Sequence, residues 1–319
     1  MATLNYQQAA AWLLQRDDFL ILTHVRPDGD TVGCAAGLCR ALREQGKRAY
    51  VLSDPNTSGI FTPYLEGLLA EESFAPGTVV AVDMAARSMF HEGAKPYLNR
   101  VDLTIDHHPS QEFYAKDTCL DADRAACGEL VYDILRQWGP ISPEVALPLY
   151  VAVSTDCGCF VYSNTSAACH RVAADLMETG IDFYPVNRRH FRSKSLNRLK
   201  LESMLTAGMQ VFDGGAMAMV TLTLDMSRSI NATEEDMDDI SAFVGQIEGV
   251  RTGITVRQLT PDRCKISLRT EPGDLNASKV CGLLGGGGHA AAAGATVDGS
   301  PEETQRAILA AIRQVQNER

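Results

Sequence analysis

No stretch of this sequence approaches the roughly 20 apolar residues that span a bilayer. The opening MATLNYQQAAAWLLQRDDF has no basic segment followed by a long apolar run. Nothing here marks export or membrane insertion, so no membrane partner is expected. A cysteine framework is missing as well. The nine cysteines are odd in number and follow no repeat, and Cys157 and Cys159 stand too close for an ordinary zinc knuckle. Cys34, Cys39, Cys169 and Cys281 sit among apolar or small residues, which reads as buried thiols in a reducing compartment, the cytoplasm. Positive charge is scarce too: 29 Lys and Arg against 40 Asp and Glu give a net charge of −11. Proteins that grip long duplexes usually carry a basic excess, because phosphate neutralisation dominates that binding. Here a phosphate-bearing substrate has to be held locally, by metal ions, a few Arg or Lys and backbone N–H groups. That favours a small anion over a long one.

What is present is an ordinary globular composition, 45% hydrophobic and 22% charged. The 319 residues are too many for one core and point to two domains. In the first half, short apolar runs alternate with helical patterns. DFLILTH (18–24), RAYVLSD (48–54), TVVAVDM (78–84) and VDLTIDHH (101–108) read as strands. TVGCAAGLCRALREQG (31–46), CGELVYDILRQWG (127–139) and PEVALPLYVAVSTD (143–156) read as helices, as does SAACHRVAADLMETG (166–180). This alternation predicts an α/β domain with a parallel, doubly wound sheet over residues 1–184. Ligands collect at the carboxyl ends of such strands.

Residues 185–215 read as one long helix with a basic first half, a linker over 185–214 that could also wall a phosphate cleft. From Gly215 the pattern turns to strands at 216–226, 251–260 and 263–270. Helices are expected at 233–249, with Thr233 as N-cap, and at 276–284 and 302–318. Residues 215–319 therefore form a smaller α+β domain.

Several chemistry-bearing residues fall at element ends. THVRPDGDTVG puts His24, Asp28 and Asp30 on one strand-to-helix loop. Pro-Asp-Gly-Asp is also common turn chemistry, which would explain the aspartates but not the histidine. Asp83 ends the apolar strand VVAVD, where alone it could equally cap a helix. IDHHPS adds Asp106, His107 and His108, and adjacent histidines point in different directions, so one of the two is expected to bind metal. VSTDCGCF adds Asp156. Mixed carboxylate and imidazole donors suit manganese, zinc or iron better than calcium. Two histidines and four aspartates exceed the needs of one ion and suit a pair roughly 3.5–4 Å apart. In the C-terminal part, the glycines of GGGGHAAAAG (285–294) can offer N–H groups to an anion, although a flexible loop would read the same way. Arg269, at a strand end, has the planar fork that clamps phosphate, but it could also be a plain surface arginine.

The segments THVRPDGDTVG, VVAVD, IDHHPS and VSTDCGCF resemble, in order, the four motifs of the DHH phosphoesterase superfamily, and GGGGHAAAAG resembles the signature of its associated C-terminal domain. One local departure is Cys157, where relatives often carry Thr. The resemblance implies that His24, Asp28 and Asp83 bind one divalent ion. Asp30, Asp83, His107 and Asp156 would bind the other, with manganese the expected metal. It further implies that Asp83 bridges the two and takes part in catalysis, that Asp106 orients an imidazole, and that His108 faces the substrate as a catalytic group. Arg269, Gly286, Gly287, Gly288 and His289 would hold a terminal nucleotide.

Length and layout most resemble the NrnA-like group, which degrades very short RNA and dephosphorylates 3′-phosphoadenosine 5′-phosphate; RNA or DNA oligonucleotides, two to five residues long, are the expected substrates. A RecJ-type nuclease carries a further nucleic-acid-binding domain for which no segment is left. A family II pyrophosphatase has a Lys- and Arg-rich phosphate site instead of GGGGH. Hydrolysis of linear dinucleotides such as pApA, in cyclic dinucleotide turnover, stays open as an alternative. So does a non-catalytic nucleotide sensor, which a replaced ligand position would favour; none is seen. The oligomeric state is open, a homodimer included.

Overall fold

The computed structural model describes residues 2–237, 240–271 and 273–317. The chain divides into two compact units, Met1–Ser193 and Lys194–Arg319. In the first, the elements are β1 (Ala2–Thr3), α1 (Tyr6–Leu14), β2 (Phe19–Leu22), α2 (Gly29–Glu44), β3 (Ala49–Val51), β4 (Thr78–Val82), β5 (Leu103–Asp106), β6 (Asp117–Leu120), α3 (Cys127–Leu135), α4 (Pro143–Asp156), α5 (Ala167–Glu178) and α6 (Phe183–Asn187). The six strands form one sheet in the order β1-β6-β5-β4-β2-β3, every pairing parallel. This is the predicted doubly wound architecture. FLIL and TVVAV are buried along their whole length, as strands covered on both faces must be. β1 and β6 were not expected; a two-residue strand and DTCL carry too little apolar signal.

Two neighbouring pairings matter for the site. Leu22 lies beside Ala81, and Val82 beside Ile105. The chain leaving β2, β4 and β5 therefore delivers His24, Asp83 and the 106–108 run side by side. Helices α2 and α4 add the remaining acids. Asp28 caps α2, its carboxylate accepting the N–H groups of Asp30 and Thr31 at 3.0 and 3.2 Å. Ser142 caps α4, with Pro143 in the first turn. Glycines set how closely these helices approach. A Cβ on Gly33 would come within 2.3 Å of the Pro148 carbonyl oxygen, and one on Gly29 within 2.2 Å of Thr155 Oγ1. The start of α2 thus lies against the end of α4, where Asp156 stands.

The second unit contains α7 (Leu196–Ala207), β7 (Gln210–Phe212), β8 (Met217–Leu222), α8 (Leu224–Ser229), α9 (Glu234–Met237), β9 (Thr252–Thr260), β10 (Arg263–Thr270), α10 (Ala277–Gly282), β11 (Gly287–Gly288), β12 (Ala292–Asp298) and α11 (Pro301–Asn317). Its sheet runs β11-β12-β10-β9-β8-β7, with only the β8–β9 pairing parallel.

Two helical expectations need correction. The single helix over 185–215 is instead α6, a wide turn at Arg188–Arg192, a break, then α7 and β7. Ser195 makes the break by capping α7, its hydroxyl accepting the Arg198 N–H at 2.9 Å. The helix over 233–249 shrinks to α9 and two tight turns at Ile240–Ala242 and Val244–Gln246. Thr233 still caps α9, accepting the Asp236 N–H at 3.3 Å. Val244 turns in to pack on Gly253 of β9, a contact that a continuous helix would not make. The parts of these readings that fall on Asp238, Asp239 and Glu318 lie outside the described residues. Among the described residues no helix is long and apolar enough to cross a membrane. All nine cysteines are free, and eight are buried.

Candidate metal centre

The four sequence segments converge at the carboxyl ends of β2, β4 and β5. Ligand atoms of His24, Asp28 and Asp83 lie within 4.8 Å of one another, as do those of Asp30, His107 and Asp156, and those of Asp83, His107 and His108. Asp83 joins the groups. Its Oδ2 is 3.7 Å from His24 Nε2, and its Oδ1 is 3.4 Å from His107 Nε2. Asp28 Oδ1 is 3.5 Å from His24 Nε2, while Asp30 and Asp156 each reach within 3.9 Å of His107 Nε2. Asp83 itself sits in the left-handed region, φ 56°. Aspartate tolerates this conformation better than most residues, at a cost of about 1 kcal/mol or more.

Backbone groups orient the donors. Nδ1 of His24 lies 3.0 Å from the Val25 carbonyl oxygen, and Nδ1 of His107 lies 3.1 Å from that of Arg124. A carbonyl can only accept, so each Nδ1 carries the proton and donates it, aiming Nε2 at the carboxylates. The Arg124 carbonyl is held in place because its side chain pairs with Asp121, Glu129 and Asp133. Asp30 is fixed by the first turn of α3, accepting the N–H groups of Cys127 at 2.6 Å and Gly128 at 2.9 Å. Asp106 is fully buried. It accepts from His108 Nδ1 at 2.8 Å and from Gln111 Nε2 at 2.6 Å. His108 therefore presents Nε2 outward, with its side chain 35% exposed.

The electrostatics are those of crowded acids. Burial lifts Asp30 well above the usual carboxylate range, and the charges of Asp83 and Asp156 add to it. Asp83 is raised by burial, with His107 opposing. Burial pushes Asp156 up to about 6. Burial works against a charged His24, yet its bond to Asp28 and the nearby carboxylates carry it to about 9. His107 reaches about 10 in the same way through Asp83 and Asp30. A cluster that resists its own ionisation and holds protons on imidazoles suits a dication, which would replace those protons. One atom makes the point directly: Asp83 Oδ1 is buried without a well-formed hydrogen bond. The residues fit a centre for divalent ions.

Gln111 was not foreseen, because no spacing marks a glutamine three residues past a histidine pair. The N–H groups at the start of α3 and the two carbonyls carry no side-chain signature at all.

In the second unit, Arg269 of β10 pairs in register with Ala292, and the His289 N–H donates to the Ala292 carbonyl at 2.8 Å. Arg269 and His289 thus stand at one hairpin end. Arg269 Nη2 has a long bond of 3.4 Å to Ser241 Oγ, and His289 is exposed. Gly287 and Gly288 are strand β11, paired with Gly294 and Ala293. Gly286 must be glycine because a Cβ there would come within 2.1 Å of the Gly294 carbonyl oxygen. The glycine run follows helix α10 and enters a hairpin; it does not open a helix.

Comparison with known proteins places this arrangement. Residues 18–153 match the DHH family, N-terminal domain, and residues 217–318 match the DHHA1 domain. The bifunctional oligoribonuclease and PAP phosphatase NrnA of Thermus thermophilus is 33% identical over 299 residues, 92% of this chain and 89% of that protein. An exopolyphosphatase-related protein from Bacteroides fragilis superposes with a TM-score of 0.86 at 23% identity, covering 97% of this chain and 96% of that one. RecJ from Thermus thermophilus, solved in complex with Mn2+, superposes with a TM-score of 0.54 at 14% identity over 98% of this chain and 55% of its own.

Proposed function

The chain belongs to the DHH family, and from that premise we propose that it is a metal-dependent phosphoesterase acting on short nucleotides. Its substrates are oligoribonucleotides of two to five residues and 3′-phosphoadenosine 5′-phosphate. The observation that carries this reading is the Asp83 carboxylate, one oxygen facing His24 and the other His107. His24, Asp28 and Asp83 would hold one divalent ion, and Asp30, Asp83, His107 and Asp156 a second, with Mn2+ the expected metal. When bound, such ions supply Lewis-acid stabilisation of charge on a phosphoryl group and a water more acidic than bulk.

The chain's own residues supply the rest. Asp106 keeps His108 turned so that Nε2 can donate a proton to a phosphate oxygen or to the departing hydroxyl. Burial of Asp30, Asp83 and His24 keeps water from competing for the donor atoms. Arg269, His289 and the N–H groups of Gly286, Gly287 and Gly288 grip the terminal nucleotide. The exposed His289 and the lightly engaged Arg269 support that role. Unpaired thiols support a cytoplasmic setting.

The test is a panel supplied with Mn2+: oligoribonucleotides from two to about ten residues, 3′-phosphoadenosine 5′-phosphate and pyrophosphate. Turnover of the shortest oligonucleotides and of the phosphoadenosine compound is expected. Pyrophosphate as the sole substrate would overturn the reading, and wild-type turnover by Asp83→Ala would overturn the shared ligand.

A further inference from the structure

Past Asp156 the chain runs through three consecutive left-handed residues, Gly158, Cys159 and Phe160, with φ of 54°, 54° and 65°. Side-chain-bearing residues are strained there, and such strain persists only where the surroundings hold it. The restraints are visible. The Cys159 N–H donates to the Ser154 carbonyl at 2.7 Å. The Phe160 ring stacks on His170 with centroids 4.8 Å apart. Asn164 Nδ2 donates to the carbonyls of Ala125 and Asp156, both at 3.1 Å.

The turn drives two apolar side chains outward beside the metal centre: Val161 is 81% exposed and Tyr162 55%. The Tyr162 ring is not loose. It presses on Gly158, where a Cβ would come within 2.5 Å of two ring carbons. A fixed, half-exposed aromatic ring six residues from a metal ligand adds little to the core.

Unpaired cations follow on the segment that packs against α4. Leaving α5, the chain passes along α4: Phe183 lies 6.1 Å from the Tyr150 ring, and Asn187 bonds the Tyr150 hydroxyl. It then presents Arg188 and Arg192, both exposed and in no ion pair among the described residues. Burial pushes the Cys159 thiol up, and the charge of Arg192 pulls the other way, so that guanidinium's field reaches the loop. In a chain of net charge −11, uncompensated cations beside an exposed ring match a single nucleotide strand, which offers base faces and phosphates alternately.

We infer that Val161, Tyr162 and Arg192 form a rim that receives the nucleotides beyond the cleaved bond, a base stacking on Tyr162 and a phosphate meeting Arg192. The rim rests on the proposed function, since it presumes an oligonucleotide at the metal centre. It makes turnover depend on substrate length.

The experiment compares a pentaribonucleotide with 3′-phosphoadenosine 5′-phosphate, which has no second base, using Mn2+-loaded wild type, Tyr162→Ala, Tyr162→Trp and Arg192→Ala. For Tyr162→Ala, KM for the pentanucleotide should rise about tenfold relative to KM for the small substrate, the size of one base–aromatic stack. Tyr162→Trp should restore it. For Arg192→Ala, whose exposed side chain takes no part in the strained turn, the slope of log KM against log salt should fall by about 0.7. That is the loss of one single-strand phosphate contact. Equal losses on both substrates in both variants, or no loss in either, would overturn the rim while the wild type remains active. A wild type that turns over neither substrate would overturn the proposed function and the rim with it, so the two failures read differently.

Discussion

Replacing Asp156 with Asn should make the metal-free protein more stable near neutral pH and at the same time remove most of the stabilisation a divalent ion confers. Burial raises the carboxyl from 3.8 to about 6, His107 opposing while Asp83 and Asp28 add to the rise. The folded value lies above the unfolded one. The corresponding stability is therefore present in full below about pH 4, is lost as pH rises through about 6, and stays lost above. A rise from 3.8 to about 6 is worth roughly 3 kcal/mol. The Asp156 side chain is 30% exposed and attracts His107 at 3.9 Å, so the amide gives back part of this. A net gain of about 1–2 kcal/mol at pH 7.5 is expected, or roughly 2–8 °C in Tm for a unit of this size. The assay is thermal unfolding followed by circular dichroism, in chelator at pH 4 and 7.5, then with Mn2+ at pH 7.5. The variant should exceed the wild type in chelator at pH 7.5, match it at pH 4, and fall below it once Mn2+ is present. The reasoning is refuted if the chelated variant is the less stable at pH 7.5, or if Mn2+ raises both melting points equally.

Three further outcomes follow from other contacts. Gly33→Ala should lose about 1–3 kcal/mol in urea unfolding despite a better helix former, because its Cβ meets the backbone of Pro148 and Ala152; a neutral result would mean that α2 and α4 can part. Asp106→Asn removes the charge that helps raise His108 and leaves at most a weaker amide acceptor, so kcat should fall about tenfold or more and the basic limb of its pH profile should move to lower pH. An unmoved limb would exclude His108 as the acid. Arg269→Ala and His289→Ala should weaken nucleotide turnover mainly through KM and largely spare a small chromogenic phosphodiester; equal losses on both would contradict separate roles for the two units.

The ligand candidates could be picked out of the sequence because each is a polar side chain ending an apolar run, as with Asp83 after TVVAV or His107 after LTID. Period and composition also sufficed for the central strands β2, β4 and β5, which are buried along their whole length. Features that depend on backbone groups or on distant partners left no trace. The carbonyls of Val25 and Arg124 that orient two imidazoles are common to every residue type. The break before α7 turns on Ser195, whose sequence neighbourhood reads as helical, and the 233–249 segment is shortened by Val244 packing against a strand. GGGGH reads by itself as a glycine loop, but pairing with Gly294 and Ala293 makes it a hairpin. Only a contact between separate stretches of chain decides such cases.

The glycine contacts between α2 and α4 carry a consequence for ion choice. Asp28 and Asp30 start one helix and Asp156 ends the other, so the gap between these carboxylates is gauged by main chain touching main chain. Magnesium and calcium differ by about 0.4 Å in their preferred distance to oxygen. A flexible cage absorbs that difference by swinging side chains. Here the close approach of Gly33 to the backbone of Pro148 and Ala152 sets a floor on the helix spacing, so a cage that had to contract around a smaller cation would do so by side-chain rotation and not by drawing the helices together.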